Sequence, residues 1–513
     1  TQIAAARMEH GEVVDWYVTF VNPGKPIPDD VAHLTNIHDE DVADAPTPDE
    51  ALAGLVEFAR DAKMVAHNAE FDRTFTTRHP SGYPLLDNIW IDSLDLARIA
   101  LPRMRSHRLI DLVKAFGAPT STHRADDDVA ATCALFRILL AAVHEMPPAL
   151  VKCIALLAPV EQWNTAVVFQ YFAQPEAKPF SLKELRHESM TSYEQRPRID
   201  AKMIQTMEYP TEEDIAQAFS PTGIVGKLYV DFDPREEQLT MAQEVRAALE
   251  ASENLIVEAG TGVGKSMAYL VPAVLMAKKN NIAIGVATKT NALLDQLVYH
   301  ELPALAQSLG DITYAPLKGF SHYPCLRKVN RFVKEGVKMV DVQGTEHSQA
   351  PSLGALLSFI DQTDYDDMDS LKMDYRVVPR RAVTTTSHDC LRRKCPFYGT
   401  TCFVHGARRF AETADVVVTN HTLLFCDASA DNGLLPPVRH WILDEAHGAE
   451  AEARRAFSLE IAAEDVTRLA QKVASGESRN VYARAERKLS SSLKNDGATL
   501  FEGLIGKAKS AGD

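Results

Sequence analysis

Four cysteines stand at 325, 390, 395 and 402. The last three lie in SHDCLRRKCPFYGTTCFVH, among Arg392, Arg393 and Lys394. Thiols grouped like this can form a disulfide, bind zinc or hold an iron–sulfur cluster. Zinc sites commonly use two tight Cys-x-x-Cys or Cys/His pairs, and this chain has no Cys-x-x-Cys. One early thiol followed by a group of three suits a four-Cys [4Fe–4S] site better. On spacing alone, cluster, zinc and unrelated thiols all stay open. His322 and His405 lie nearby and are expected to be non-ligands. Cys133, Cys153 and Cys426 are expected to be small buried hydrophobes.

A second group is built for phosphate. AGTGVGKS runs through Ala259, Gly260, Thr261, Gly262, Val263, Gly264, Lys265 and Ser266. The glycines let backbone N–H groups turn toward phosphate oxygens. Lys265 reaches the β- and γ-phosphates and Ser266 ligates Mg²⁺. The helix that follows adds positive potential. Downstream, WILDEAH ends an apolar run with Asp444, suited to hold Mg²⁺ through water, and Glu445, suited to polarise an attacking water. A chance Gly-rich turn and an exposed acidic loop are the bland alternatives, and each loses ground once both motifs occur in one chain.

A third group is carboxylate-rich. MVAHNAEFDRTF contains Asp72, and HRADDDVAAT contains His123 and Asp128. Two-metal phosphodiester hydrolysis needs carboxylates from separate segments converging on a pair of cations. Asp72 and Asp128 supply two, with His123 as general base. Asp126 and Asp127 rank below Asp128, and Asp92 is expected to give structural support. Taken singly, Asp72 reads as a surface residue and His123 as a core or cap residue.

These groups must be held by regular elements. IAAARM and VVDWYVTFVNPG predict neighbouring strands, TPDEALAGLVEFARDA a Thr-capped helix, and MVAHNAEFD a strand running into a helix. ATCALFRILLAAVHEM predicts an apolar helix stopped by Pro147-Pro148. Residues 149–230 predict a helical linker with no chemistry of its own. From 231, LIVEAG, IAIGVAT, DVVVTN and HWILDEAH predict short strands between helices, hence a parallel sheet. The stretch 320–410 interrupts that rhythm. Its acidic run DQTDYDDMD predicts a solvated loop.

EAGTGVGKS, ATKTNALLDQL and LDEAH resemble motifs I, Ia and II of superfamily 2 helicases. PREEQLTMA puts Arg235, Gln238 and Met241 where such enzymes recognise adenine. LKGFSHYPC and VVVTNHTLL narrow the resemblance to the XPD/DinG group of iron–sulfur DNA helicases, over roughly 220–450. In that setting Cys325, Cys390, Cys395 and Cys402 are implied [4Fe–4S] ligands. Lys318, Arg327, Lys328, Arg331 and Arg392–Lys394 are expected to form a basic surface, with Phe320, Tyr323 and Phe397 as stacking faces for single-stranded DNA. Residues 1–145 resemble DnaQ-like 3′–5′ exonucleases: His67-Asn68-Ala69-Glu70-Phe71-Asp72 matches the second motif and His123-x-Ala125-x-x-Asp128 the third. The family's D-x-E strand belongs just before TQIAAARM. A second RecA-like domain with its arginine finger belongs after LDEAH. The sequence is therefore expected to be truncated at both ends, to bind ATP and to hydrolyse it poorly.

The implied fold class is α/β. An RNase H-like (DnaQ-like) exonuclease domain (1–148, first strand motif missing) and a linker domain (149–230) precede a RecA-like P-loop helicase domain (231–319 and 411–450). A cysteine-cluster insertion (320–410) splits the latter, and a helical arch begins at 451–513. The implied activity is a DinG-type ATP-dependent helicase, 5′–3′ by resemblance, with a fused 3′–5′ exonuclease acting in DNA repair or replication. ATP, Mg²⁺, a [4Fe–4S] cluster and Mg²⁺ or Mn²⁺ for the exonuclease are the implied cofactors, and single-stranded and forked DNA the partners. A nuclease whose ATP site only regulates digestion is the main rival, and a zinc-stabilised binding protein the second.

The totals agree with several domains: 513 residues exceed one core's usual size. Net charge is −16, which excludes a uniformly basic surface but not a local basic groove. Seven sparse cysteines fit a reducing compartment better than a disulfide scaffold. The longest apolar run, YLVPAVLMA, falls short of a membrane span of about 20 residues. A bacterial cytoplasmic, nucleoid-associated location is expected.

Overall fold

The computed structural model describes residues 2–118, 124–189, 203–260, 262–310, 312–387, 389–399, 401–429, 435–458 and 463. The expected helical arch lies almost wholly outside these residues.

The chain opens with an antiparallel hairpin of β1 (Gln2–Glu9) and β2 (Glu12–Phe20). His10 and Gly11 connect them with φ of 52° and 85°. Left-handed backbone at both turn residues matches the twist of the paired strands. Helix α1 (Pro48–Ala59) starts at Thr47, whose hydroxyl accepts from the Glu50 amide while the Glu50 carboxylate accepts from Thr47 N at 2.9 Å. That reciprocal pair satisfies two otherwise orphaned amides. Next come β3 (Met64–Ala66), α2 (Ala69–Thr76), β4 (Trp90–Asp92) and α3 (Ser93–Ala100), with β3 and β4 parallel. The apolar helix α4 (Ala125–His144) packs on β1 and α3.

Helix α5 (Leu182–Ser189) belongs to the connecting region. The C-terminal half contributes α6 (Lys265–Asn280), β5 (Ile284–Thr288), α7 (Asn291–Gln296) and β6 (Tyr314–Pro316). The inserted stretch forms α8 (Leu326–Glu335), a hairpin of β7 (Met339–Val342) and β8 (Thr345–Ser348), α9 (Ala350–Gln362) and α10 (Phe403–Ala411). The chain then returns to the sheet through β9 (Val416–Asn420) and β10 (His440–Leu443). The expected parallel sheet is present, in the order β10-β5-β9-β6. Its central strands β5 and β9 are buried along nearly their whole length, as their apolar runs require. Trp441 on β10 faces Gly285 on β5, where a Cβ would meet the indole at 2.3 Å.

One expected strand is not there. LIVEAG forms no ladder with β10, and Leu255, Ile256 and Val257 are exposed, Ile256 by 95%. Its apolar composition fits a buried strand, but composition cannot supply the neighbour that a ladder needs.

The apolar core ignores the expected borders at 148 and 320. One cluster joins Leu96 and Ile99 of α3, Leu135 and Leu139 of α4, Ile154, and Leu353, Leu356 and Phe359 of α9. Helix α9 is buried on almost every side. At Gly354 a Cβ would lie 3.1 Å from Ile99 Cδ1, so glycine permits the close approach of α9 to α3. On another face, the Arg105 guanidinium stacks 3.9 Å from the ring centre of Tyr299, tying the N-terminal half to the C-terminal half. No single helix among the described residues is long and apolar enough to cross a membrane.

Candidate functional site

The nuclease candidates gather where β3 and β4 end. Asn68 adopts φ 74°, and its amide donates to Asp92 Oδ1 at 3.0 Å. Asp92 also caps α3 by accepting from Leu94 N at 2.8 Å. His67 Nε2 lies 2.8 Å from the His107 carbonyl, which can only accept, so Nε2 carries the proton. Nδ1 then accepts from Ser93 Oγ at 3.0 Å. Both ring nitrogens are engaged, and His67 therefore orients the loop rather than binding a cation.

Asp72 projects from α2 toward this end. Burial pushes its carboxyl up to about 6, and the charges of Asp92 and Asp128 add to the rise. Asp128, on the first turn of α4, thus shares one field with Asp72 and Asp92. Asp126 instead accepts from Gln2 Nε2 at 3.2 Å and lies 3.5 Å from Arg124 Nε. Asp95, one turn into α3, joins the acidic group: burial first, then Asp92, raises its carboxyl. Sequence reasoning passed over Asp95; its place three residues after Asp92, on the helix that Asp92 caps, was the available signal. His123 lies outside the described residues. A cavity of about 1460 Å³ opens beside the group, between β1 and β3 and under α2 and α4. Its walls include Ile3, Ala5, Val65, Asp72 and Asp128.

At the nucleotide site, Gly262 and Gly264 have φ of 87° and 86°. Gly264 is the N-cap of α6, and a Cβ there would lie 2.1 Å from Gln238 Nε2. Gln238 donates to the Gly264 carbonyl at 2.9 Å, and Arg235 donates to the Gly262 carbonyl. Both side chains thereby hold the loop's backbone. Lys265 Nζ lies 3.1 Å from Glu445 Oε1. This hydrogen bond and charge hold the Glu445 carboxyl below its ordinary range, whereas burial and then Glu445 raise Asp444. Glu445 has φ 53°, a strained backbone for a non-glycine residue. Lys289 Nζ lies 2.9 Å from His447 Nε2, and His447 Nδ1 lies 3.3 Å from Glu445, so motif Ia touches the acidic strand end. Asp444 N donates to the Ala287 carbonyl at 2.8 Å, which fixes the strand end against β5. Thr261 lies outside the described residues.

The four cysteines share one neighbourhood. Cys325 and Cys402 are the N-caps of α8 and α10. Cys390 Sγ accepts from the Arg392 amide at 3.4 Å and lies 3.8 Å from His405 Nε2. Burial pushes the Cys402 thiol up to about 11, and Cys325 and Cys390 add to it; Cys395 is raised the same way. The donor set is of the right chemistry, and Cys325 and Cys390 lie within electrostatic reach of Cys395 and Cys402. Among the described residues, no three His, Cys, Asp or Glu side chains adopt metal-ligand spacing, here or at the nuclease site. All seven cysteines are free.

Several expectations about the surroundings fail. Lys318 is not part of a basic surface. Its side chain is 1% exposed, with Asp295, Asp367 and Asp369 at 2.9–3.0 Å. The acidic run is consequently not a solvated loop, because two of its carboxylates neutralise a buried lysine. His322 and Arg380 close the network on Asp369. Tyr323 and Phe397 are buried and offer no stacking face; the Tyr323 hydroxyl accepts from Lys318 N at 3.1 Å. Arg331, Arg392, Arg393 and Lys394 are exposed as expected, and Tyr398 is the exposed ring beside them. Arg186 on α5, in the connecting region, reaches the cysteine segment by donating to the Thr401 carbonyl.

The chain resembles known proteins in both halves. Residues 1–136 match the family model described as Exonuclease. The "3'-5' exonuclease DinG" of Bacillus subtilis is 28% identical over 461 residues, 88% of this chain and 48% of the relative. The "ATP-dependent helicase DinG" of Mycobacterium tuberculosis is 38% identical over 257 residues, 46% of this chain and 38% of the relative. The solved structure "Exonuclease X in complex with 5' overhanging duplex DNA" is 26% identical, covering 27% of this chain and 81% of that one, at a TM-score of 0.23. The chain spans about half the length of the first of these curated relatives and less of the second.

Proposed function

Starting from a chain of the DinG type with an N-terminal exonuclease domain, we propose an ATP-dependent DNA helicase with a fused 3′–5′ exonuclease. It works on single-stranded and forked DNA, with 5′–3′ polarity, in repair or replication at the bacterial nucleoid. The observation that carries the motor half is the meeting of Lys265 with Glu445 at 3.1 Å, because it joins two distant motifs at one point. The Gly260–Ser266 loop and Lys265 hold the triphosphate. Ser266 and Asp444 hold its Mg²⁺, and Glu445 orients the attacking water. Mg²⁺ supplies charge neutralisation between phosphate oxygens. Arg235 and Gln238 keep the loop's carbonyls turned away from the phosphates, leaving its amides to face them.

In the nuclease half, Asp72 and Asp128 would hold Mg²⁺ or Mn²⁺, which would supply water activation and charge stabilisation for phosphodiester hydrolysis. His123 takes a proton. Cys325, Cys390, Cys395 and Cys402 hold the [4Fe–4S] cluster, and the exposed Arg331 and Arg392–Lys394 bind phosphodiester backbone.

The test is strand displacement and digestion by the full-length protein, purified without air, with and without ATP. Lys265→Ala is expected to abolish displacement and spare digestion. Displacement that persists in this variant, or a wild type that digests but never unwinds, overturns the motor reading. Cys390→Ser is expected to remove iron and colour.

A further inference from the structure

Arg186 is 0% exposed, although it lies in a connecting region that carries no recognisable motif. Its guanidinium donates to the Thr401 carbonyl at 3.2 Å, to the Ile360 carbonyl at 3.4 Å and to the Thr363 carbonyl. Its Cζ lies 4.1 Å from the ring centre of Phe403 and 5.3 Å from that of Tyr365. Two of these carbonyls close the C-terminal end of α9, where helix carbonyls lack partners and a cation is favoured. The third immediately precedes Cys402, the N-cap of α10. One planar fork therefore spans the end of one helix and the start of another. Only an arginine offers five donors in that geometry together with a face for aromatic stacking.

We propose that Arg186 is a positioning residue for the cysteine pocket. It fixes the Thr401–Cys402 turn against the end of α9, so the connecting region, and not the inserted stretch alone, sets the place of the Cys402 thiol. The inference deepens the reading of the four cysteines as one metal-holding set, and its test separates the two.

The first arm uses the full-length protein, reduced and free of metal, and measures site-resolved alkylation by N-ethylmaleimide. Cys133, buried in α4, is the internal reference. In Arg186→Met the Cys402 rate is expected to rise about tenfold or more, the effect of losing one charge-assisted hydrogen bond, with Cys133 unchanged. Arg186→Lys keeps the charge without the fork and is expected to restore only part of the protection. Equal Cys402 rates in wild type and Arg186→Met, or equal acceleration at Cys402 and Cys133, overturn the proposal. The second arm measures iron release to a chelator from protein purified without air, expected to be faster in Arg186→Met than in wild type. Equal release overturns the proposal for the loaded protein. A wild type without iron sinks the cluster reading instead and leaves the decision on Arg186 to the first arm.

Discussion

The ammonium of Lys318 lies 3.0 Å from Asp367 Oδ2, in a pocket where the lysine side chain is 1% exposed. Asp295 and Asp369 approach the same nitrogen, so a motif Ia helix and the inserted stretch are joined by charge. Burial alone would lower the lysine, yet the three carboxylates raise it. Lys318→Met leaves Asp367, 6% exposed, buried without its cation, while Asp369 keeps His322 and Arg380. Removing one partner of a buried pair costs about 3–5 kcal/mol. Calorimetry of the variant is expected to show a loss of this size. An unchanged melting temperature excludes the network as a structural joint.

Gly264 has two independent reasons to be glycine, its φ of 86° and the 2.1 Å approach of Gln238 to a Cβ. A left-handed conformation costs a non-glycine residue roughly 1–2 kcal/mol. Gly264→Ala is expected to weaken ATP binding by about tenfold or more, measured by titration calorimetry. Adding Gln238→Ala relieves the clash but not the backbone cost, so the double variant is expected to recover only part of the affinity.

Asp72 gives a pH dependence with a defined sign. Its folded pKa, about 6, exceeds the ordinary 3.8, so between these values the folded state binds more protons than the unfolded state. Stability of the metal-free protein is therefore expected to fall as pH rises from about 4 to about 6. Digestion needs the ionised carboxylate and is expected to decline below about pH 6. Mg²⁺ favours the ionised form and should move the acid limb to lower pH. A melting temperature that rises through this window contradicts the assignment for Asp72, and so does an acid limb indifferent to Mg²⁺.

Gly285 sits under the Trp441 ring, with no room for a methyl group. Overpacking of this kind costs about 1–3 kcal/mol. Gly285→Ala is expected to lower stability by that amount in chemical denaturation. Replacing Trp441 by Leu in the same chain should return part of it, because the contact is a single pair across β5 and β10. Independent, additive effects of the two changes rule this out.

The sequence by itself determined whatever depends on local order. Thr47 announced a capped helix, the apolar runs announced β5 and β9, and the glycines around Lys265 announced a phosphate loop. Asp72 and Asp128 were also legible, since two acidic segments beside helix starts imply carboxylates from separate places. Tertiary structure decided which charges face water. Lys318 and Arg186 have the composition of surface residues, and only the folded chain brings three carboxylates to one and three carbonyls to the other. DQTDYDDMD reads as solvent-facing for the same reason: a run of like charges says nothing about a lysine more than 40 residues away along the chain. LIVEAG failed in the opposite direction, because strand propensity is satisfied only when another strand supplies its hydrogen bonds. Short-range sterics and capping are written in neighbouring residues, whereas the desolvation of a charge depends on partners that meet only after the chain has closed on itself.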